Sequence, residues 1–94
     1  MSVEARWDTA VRAAIEKLAR RKGGWVDLVD LRTELWQQSR TAQDAHLARM
    51  SRERKIHLVP ESNRKTITSA DQAAAIRIGG EWNHLIAWNY ATSP

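Results

Sequence analysis

The spacing of apolar side chains changes along this chain, and this change most constrains its fold. From Val3 to Arg21 the apolar residues recur at steps of three and four, which predicts a helix with one apolar stripe. The short run Ile56 to Val59 and the partly alternating segment Trp82 to Tyr90 instead predict two strands that pair with each other. The sequence therefore predicts an α+β fold that is mainly helical.

Glycines and capping residues divide the first half into three helices. Gly23-Gly24 ends the first helix, and Trp25 to Leu28 follows as a short extended piece. A second helix is predicted from about Val29 to Gln38. The third runs from Ala42 to about Arg54, with Thr41 as its cap.

A short fourth helix is expected in the connection between the two strands. Residues 61–65 form a polar loop, and the spacing Ser69 to Gln72 is that of a capping box. This helix would continue through Ile76, and Gly79-Gly80 would close it. The length fits one domain, residues 1–94.

The helical pattern also predicts which side chains face the core. Asp30, Arg32 and Glu34 of the second helix are expected to face outward, and the tryptophans are expected in the core, where any exposed one would mark a partner surface. The predicted inward residues are Val3, Trp7, Ala10, Val11, Ala14, Ile15, Leu18, Leu28, Leu31, Leu35, Trp36, Gln43, Leu47, Met50, Ser51 and Arg54.

The net charge of +4 is concentrated in the middle of the chain. Residues 40–65 hold seven Lys and Arg against three Asp and Glu, whereas residues 1–39 hold seven against six and residues 66–94 hold one against two. A local cationic excess is typical of a surface that binds a polyanion, although a solvated surface that keeps the protein soluble has the same composition.

The order helix, short strand, helix, turn, helix, strand, connection, strand resembles the winged helix-turn-helix family. The residues that carry the resemblance are Gly24-Trp25-Val26-Asp27-Leu28, Leu31-Arg32, Leu47-Ala48-Arg49-Met50 and Lys55-Ile56-His57-Leu58. It implies a three-helix core followed by a small β-wing. The chain departs from the simplest form of that family because about 22 residues, with a helix among them, separate the two wing strands.

The resemblance implies binding to double-stranded DNA through the third helix. At about 100° per residue, Thr41, Ala42, Ala45, Ala48, Arg49 and Arg52 fall opposite the inward side. The alanines would let the helix sink into a major groove about 12 Å wide, while Arg49 and Arg52 reach guanine or phosphate. An exposed helix rich in good helix formers has the same pattern.

Further contacts to phosphate are expected around this helix. The residues proposed for them are Ser39, Arg40 and Thr41 at its start, Arg54 and Lys55 at its end, and Asn63, Arg64 and Lys65 in the wing loop. The alternative for the wing residues is an ordinary mobile loop, and for Arg54 and Lys55 it is charge that complements the helix dipole.

These features favour a transcriptional regulator over two alternatives, a winged-helix protein-interaction module and a sequence-independent accessory factor of a nucleic-acid-processing complex. A homodimer through the first helix or the tryptophan-bearing C-terminal strand is also expected. With no cysteine, no closely spaced histidines and no glycine-rich phosphate loop, the sequence indicates no catalytic residue, metal site, cofactor or small-molecule ligand. It indicates no membrane segment either, and the expected location is the cytoplasm.

Overall fold

Four helices and two small antiparallel sheets form an α+β fold in the computed structural model, which describes residues 1–94. The helices are α1 (Val3–Leu18), α2 (Leu28–Glu34), α3 (Arg40–Arg52) and α4 (Ser69–Ala74). The strands are β1 (Val26–Asp27), β2 (Ile56–Val59), β3 (Ile76–Ile78), β4 (Glu81–Asn83) and β5 (Leu85–Trp88). None of the helices combines the length and apolar composition needed to cross a bilayer.

The larger sheet has the strand order β1-β5-β2, and both pairings are antiparallel. Ile86 in the central strand pairs with Val26 on one side and Leu58 on the other. Because alternate residues of a strand point to opposite faces, this register places all three side chains on the face that covers the helices. The predicted pairing of residues 56–59 with the last strand is confirmed.

One hydrophobic cluster joins the helices to this sheet. The inward positions confirmed as buried are Val11, Ala14, Ile15, Leu28, Leu31, Leu35, Gln43, Leu47 and Met50. The prediction is wrong for Val3, Ala10, Trp36 and Arg54, which are exposed. Trp25 and Trp82 are also exposed, whereas Trp88 lies in the core as expected.

Helices α1 and α2 are shorter than predicted, and α3 is shifted toward the N-terminus. The backbone of Ala19 is extended (φ −69°, ψ 139°), so α1 ends at Leu18 rather than Arg21. Helix α2 begins at Leu28 and ends at Glu34, before the predicted end at Gln38. Helix α3 is capped by Ser39, whose Oγ accepts a hydrogen bond from the Ala42 amide, and not by Thr41.

The connection between β2 and β5 differs most from the prediction. Helix α4 is capped by Thr68, which forms a capping box with Asp71, and it ends at Ala74. Gly79 and Gly80 do not close a helix but form the two-residue turn between β3 and β4. Both have positive φ (62° and 81°), as the tight type I′ hairpin turn requires. The predicted strand over residues 82–90 is divided at His84 into β4 and β5.

Candidate nucleic-acid interface

One exposed ridge of α3 carries small side chains and ends in an arginine. Gln43, Leu47 and Met50 are buried against the core, which turns the opposite side of the helix outward. The steps of four, three and four between Thr41, Ala45, Ala48 and Arg52 place these residues in one row. Thr41, Ala45 and Arg52 are exposed and Ala48 is partly exposed. We call this row the α3 ridge.

Arg49 does not lie on the α3 ridge, contrary to the sequence-based expectation. Its side chain is only 11% exposed, and its guanidinium contacts Asp8 at 2.9 Å and Glu53 at 2.8 Å. Position 49 is about 60° around the helix from Arg52, on the side that faces α1. There Trp7 of α1 stacks on His46, with ring centroids 4.4 Å apart. Arg49 therefore joins α3 to α1 instead of projecting into solvent.

Lys55 belongs to the same ion cluster. Its ammonium contacts both Asp8 and Glu53, so two cations share two carboxylates. Burial of the Asp8 carboxyl raises its pKa, but the hydrogen bonds from Lys55 and Arg49 outweigh burial and hold that pKa below its ordinary value of 3.8. The hydrogen bond to Asp8 raises the pKa of Lys55. All four groups of the cluster are therefore charged near neutral pH. The two carboxylates offset the two positive charges, so this part of the surface is less cationic than the sequence predicted.

Arg40 is also used within the fold. Its guanidinium donates to the carbonyl oxygens of Ala73 (2.6 Å) and Ala75 (2.8 Å) and to the carboxylate of Asp44 (3.1 Å). The Ala73 and Ala75 carbonyls lie at the C-terminal end of α4, where backbone acceptors have no partner within the helix. Arg40 therefore satisfies these acceptors and attaches α4 to the start of α3.

Arg32 of α2 also binds the C-terminal end of α4. The prediction that this side chain faces outward is wrong. Its side chain is 11% exposed, and it donates to the Ala74 carbonyl (2.7 Å), Gln43 Oε1 (3.0 Å) and Asp44 (2.8 Å). Desolvation by burial lowers the pKa of this guanidinium. Arg32, Arg40 and Asp44 form what we call the α4 clamp, which joins three helices.

The remaining proposed contacts fall into two groups. The first group caps helical turns. Ser39 caps α3, and the side chain of Asn63 accepts a hydrogen bond from the Lys65 amide at the start of the 3₁₀ turn Arg64–Thr66. The other group is exposed and makes no ion pair in the structure. Its members are Arg52, Arg54, Arg64 and Lys65.

The residues that sequence reasoning missed are the carboxylates that pair with these cations. Asp8 lies on α1 and Asp44 on α3, and neither was proposed for the site. Asp44 follows Arg40 by four residues, a spacing at which opposite charges attract on a helix. This ion pair could therefore have been predicted from the sequence. Asp8 and Arg49 are far apart in sequence, so no local spacing could have predicted their ion pair.

Comparison of the chain with protein-family models, with curated proteins and with solved structures yields no match. No group of three or more His, Cys, Asp or Glu side chains has the arrangement of a metal site. The exposed cations and the shape of the α3 ridge are therefore the features of the molecule that bear on its function.

Proposed function

We propose that this protein has a winged helix-turn-helix fold and binds double-stranded DNA as a transcriptional regulator, with α3 in the major groove. The fold proposal is supported by the succession of α1, β1, α2, α3 and β2. The antiparallel pairing of β2 with β5 supplies the two strands that a wing requires. Residues 60–84 between them form an elaborated wing connection that contains α4 and the β3–β4 hairpin.

The observation that carries the proposal is the α3 ridge. A helix with its side chains is about 10–12 Å across, and the major groove is about 12 Å wide. A helix whose outer row is Thr41, Ala45 and Ala48 is narrow there, so its backbone approaches the base edges closely. Arg52 at the end of the row has no carboxylate partner and is therefore available to guanine or phosphate.

Phosphate contacts are assigned to the unpaired cations of the central segment. Arg54 lies two residues after the end of α3, and Arg64 and Lys65 lie in the wing connection. Such contacts position a protein on the duplex and supply affinity independent of sequence. Arg40, Arg49 and Lys55 are already paired with carboxylates or backbone carbonyls, so this role is not assigned to them.

The decisive variant is Ala45→Glu, which places bulk and negative charge in the middle of the α3 ridge. We expect it to weaken binding to a random-sequence duplex at low salt by about tenfold or more, because a carboxylate at the groove repels phosphate. Fluorescence anisotropy with a labelled duplex measures this. Ala13→Glu is the matched control, since Ala13 is an exposed alanine of α1 outside the ridge. Equal affinities of the two variants, or no binding by the wild type, would contradict the proposal.

The unpaired cations make separate predictions about specificity and salt dependence. Arg52→Ala should weaken binding by about tenfold and relax the preference at one base pair if the arginine contacts a base. Lys65→Ala should weaken binding to all sequences alike and lower the salt slope by about one. Titrations at several salt concentrations, together with selection of bound sequences from a random pool, measure both effects. A change of sequence preference in Lys65→Ala, with an unchanged salt slope, would contradict the assignment.

A winged-helix protein-interaction module is a second candidate, and the exposure of three tryptophans favours it. Trp25, Trp36 and Trp82 are 49%, 74% and 52% exposed. Aromatic side chains of this size are enriched at protein interfaces. Absence of binding to any duplex at low salt, in a protein that remains folded, is the result this candidate predicts.

A further inference from the structure

Trp36 is the most exposed tryptophan of the chain, at 74%. It lies in the turn between α2 and α3, one residue after Leu35, which is 8% exposed and packs in the core. The chain turns here at the end of α2, with Leu35 directed inward and Trp36 outward. A solvent-exposed indole ring is a strong candidate for the centre of a binding surface, since tryptophan is enriched among the residues that dominate interface energies.

A cavity of about 390 Å³ lies between the N-terminal half of α1 and the α2–α3 turn, and Leu35 and Gln37, the two chain neighbours of Trp36, both line it. Its apolar lining is formed by Val3, Trp7, Ala10 and Leu35. Pockets that hold small ligands measure about 300–1,000 Å³, so this cavity has room for one indole ring. Val3 and Ala10, which the apolar spacing placed in the core, line it as exposed residues. We call the cavity together with Trp36 the Trp36 patch.

We propose that this protein forms a two-fold symmetric homodimer in which Trp36 of each copy enters the cavity of the other. A two-fold interface uses the same surface on both copies, so that surface must carry both the protruding group and the cavity that receives it. The Trp36 patch carries both. This proposal does not depend on DNA binding, because the patch shares no residue with the α3 ridge.

The charges at the rim of the cavity fit the same arrangement. Arg6 lines the cavity, is exposed and makes no ion pair within the chain. Glu34 also lines the cavity and precedes Trp36 by two residues. Its carboxylate contacts Lys17 of the same chain at 2.9 Å, and 29% of the side chain stays exposed to a second cation. When Trp36 of one copy enters the other copy's cavity, its Glu34 is carried toward that copy's Arg6. The symmetry repeats this contact, which gives two complementary pairs.

The size of the patch predicts a weak, reversible dimer. An aromatic side chain buries about 150–250 Å², so two Trp36 rings supply about 300–500 Å². Stable specific interfaces bury about 1,200–2,000 Å² in total, and the rest must come from Met1, Val3, Arg6 and the α2–α3 turn. Met1 and Val3 are exposed and apolar, which fits this role. The dimer should therefore appear with rising protein concentration.

Sedimentation equilibrium between about 1 µM and about 1 mM tests the proposal. The wild type should rise from the chain mass of 10.7 kDa toward twice that value. Trp36→Ala should weaken dimerisation by about 30-fold or more, the effect of removing an interface hot spot. Ala10→Gln, which fills the cavity while leaving Trp36 in place, should also give a monomer. Trp82→Ala is the matched control and should dimerise as the wild type does, because Trp82 lies on the β3–β4 hairpin outside the patch.

Several outcomes would overturn the proposal. A wild type that stays monomeric at about 1 mM would do so, as would a dimer that persists unchanged in both Trp36→Ala and Ala10→Gln. Circular dichroism of each variant establishes that it is folded. Ala45→Glu should lose DNA affinity and keep the dimer, so failure of the DNA proposal and failure of the dimer proposal are distinguishable.

Discussion

Replacement of Arg32 by alanine should lower the free energy of unfolding by about 3 kcal/mol. The change removes all three contacts that this side chain makes in the α4 clamp, to the Ala74 carbonyl, Gln43 and Asp44. Gln43 is 4% exposed, so its oxygen would lose its donor in a site that water reaches poorly. Asp44 would keep Arg40, which limits the loss. Urea denaturation measures the free energy, and the midpoint of thermal unfolding should fall on the order of 15 °C.

Two further variants separate the contacts of Arg32 from its charge. Arg32→Lys keeps the charge but has no planar group to donate in three directions, so most of the loss should remain. Arg52→Ala removes an exposed, unpaired arginine from a helix and should change stability by less than about 0.5 kcal/mol. If Arg32→Lys were as stable as the wild type, the positive charge alone would account for the clamp, and the hydrogen bonds would be unimportant.

Replacement of Asp8 by asparagine should lower the free energy of unfolding by about 2 kcal/mol near pH 7. The asparagine side chain has the size of aspartate but no charge, so Arg49 would depend on Glu53 alone for charge compensation. The Nε of Arg49 is buried without a hydrogen-bond partner, which makes its charge more dependent on Asp8. Urea denaturation of both proteins at several pH values measures the loss.

The same variant predicts a dependence on pH. Because the pKa of Asp8 is lower in the folded protein than its ordinary 3.8, its contribution is fully present above about pH 4. It is lost as the pH falls through the lower folded-state pKa, so the difference between the wild type and Asp8→Asn should shrink in acid. Glu53→Gln is the control, since Glu53 contacts the same cations from an exposed position and should cost little. A difference that stayed constant down to about pH 2 would point to packing rather than charge.

The burial of the helical core was predictable because it follows from spacing within single helices. The positions of Leu31, Leu47 and Met50 are set by the helical repeat, and each is fully buried. The pairing of β2 with β5 was predictable from two segments rich in β-branched or aromatic residues, one in the middle of the chain and one near its end. The pattern failed at Val3, the first residue of α1, and at Trp36, in the turn after α2, where the neighbouring element no longer covers the apolar stripe. It also failed at Ala10 within α1, which lines an open cavity instead of the core.

The distribution of charge was less predictable, because ion pairs between helices depend on tertiary packing. A helical projection of α3 alone places Arg49 near Arg52, but it contains no information about Asp8 on α1. Gly79 and Gly80 were misinterpreted for a similar reason. A glycine pair can end a helix or form a hairpin turn, and the sequence alone does not distinguish the two. The pairing of β3 with β4 on either side of the glycines shows that they form a hairpin turn.

The α4 clamp has a consequence for how related sequences could diverge. Residues 60–84 could not be replaced by a short turn, because the guanidinium groups of Arg32 and Arg40 would lose their backbone acceptors at the end of α4. Conversely, substitutions at positions 32 and 40 would release the end of α4. In homologous chains the length of this insertion and the identities of positions 32, 40 and 44 should therefore change together, as one inherited unit.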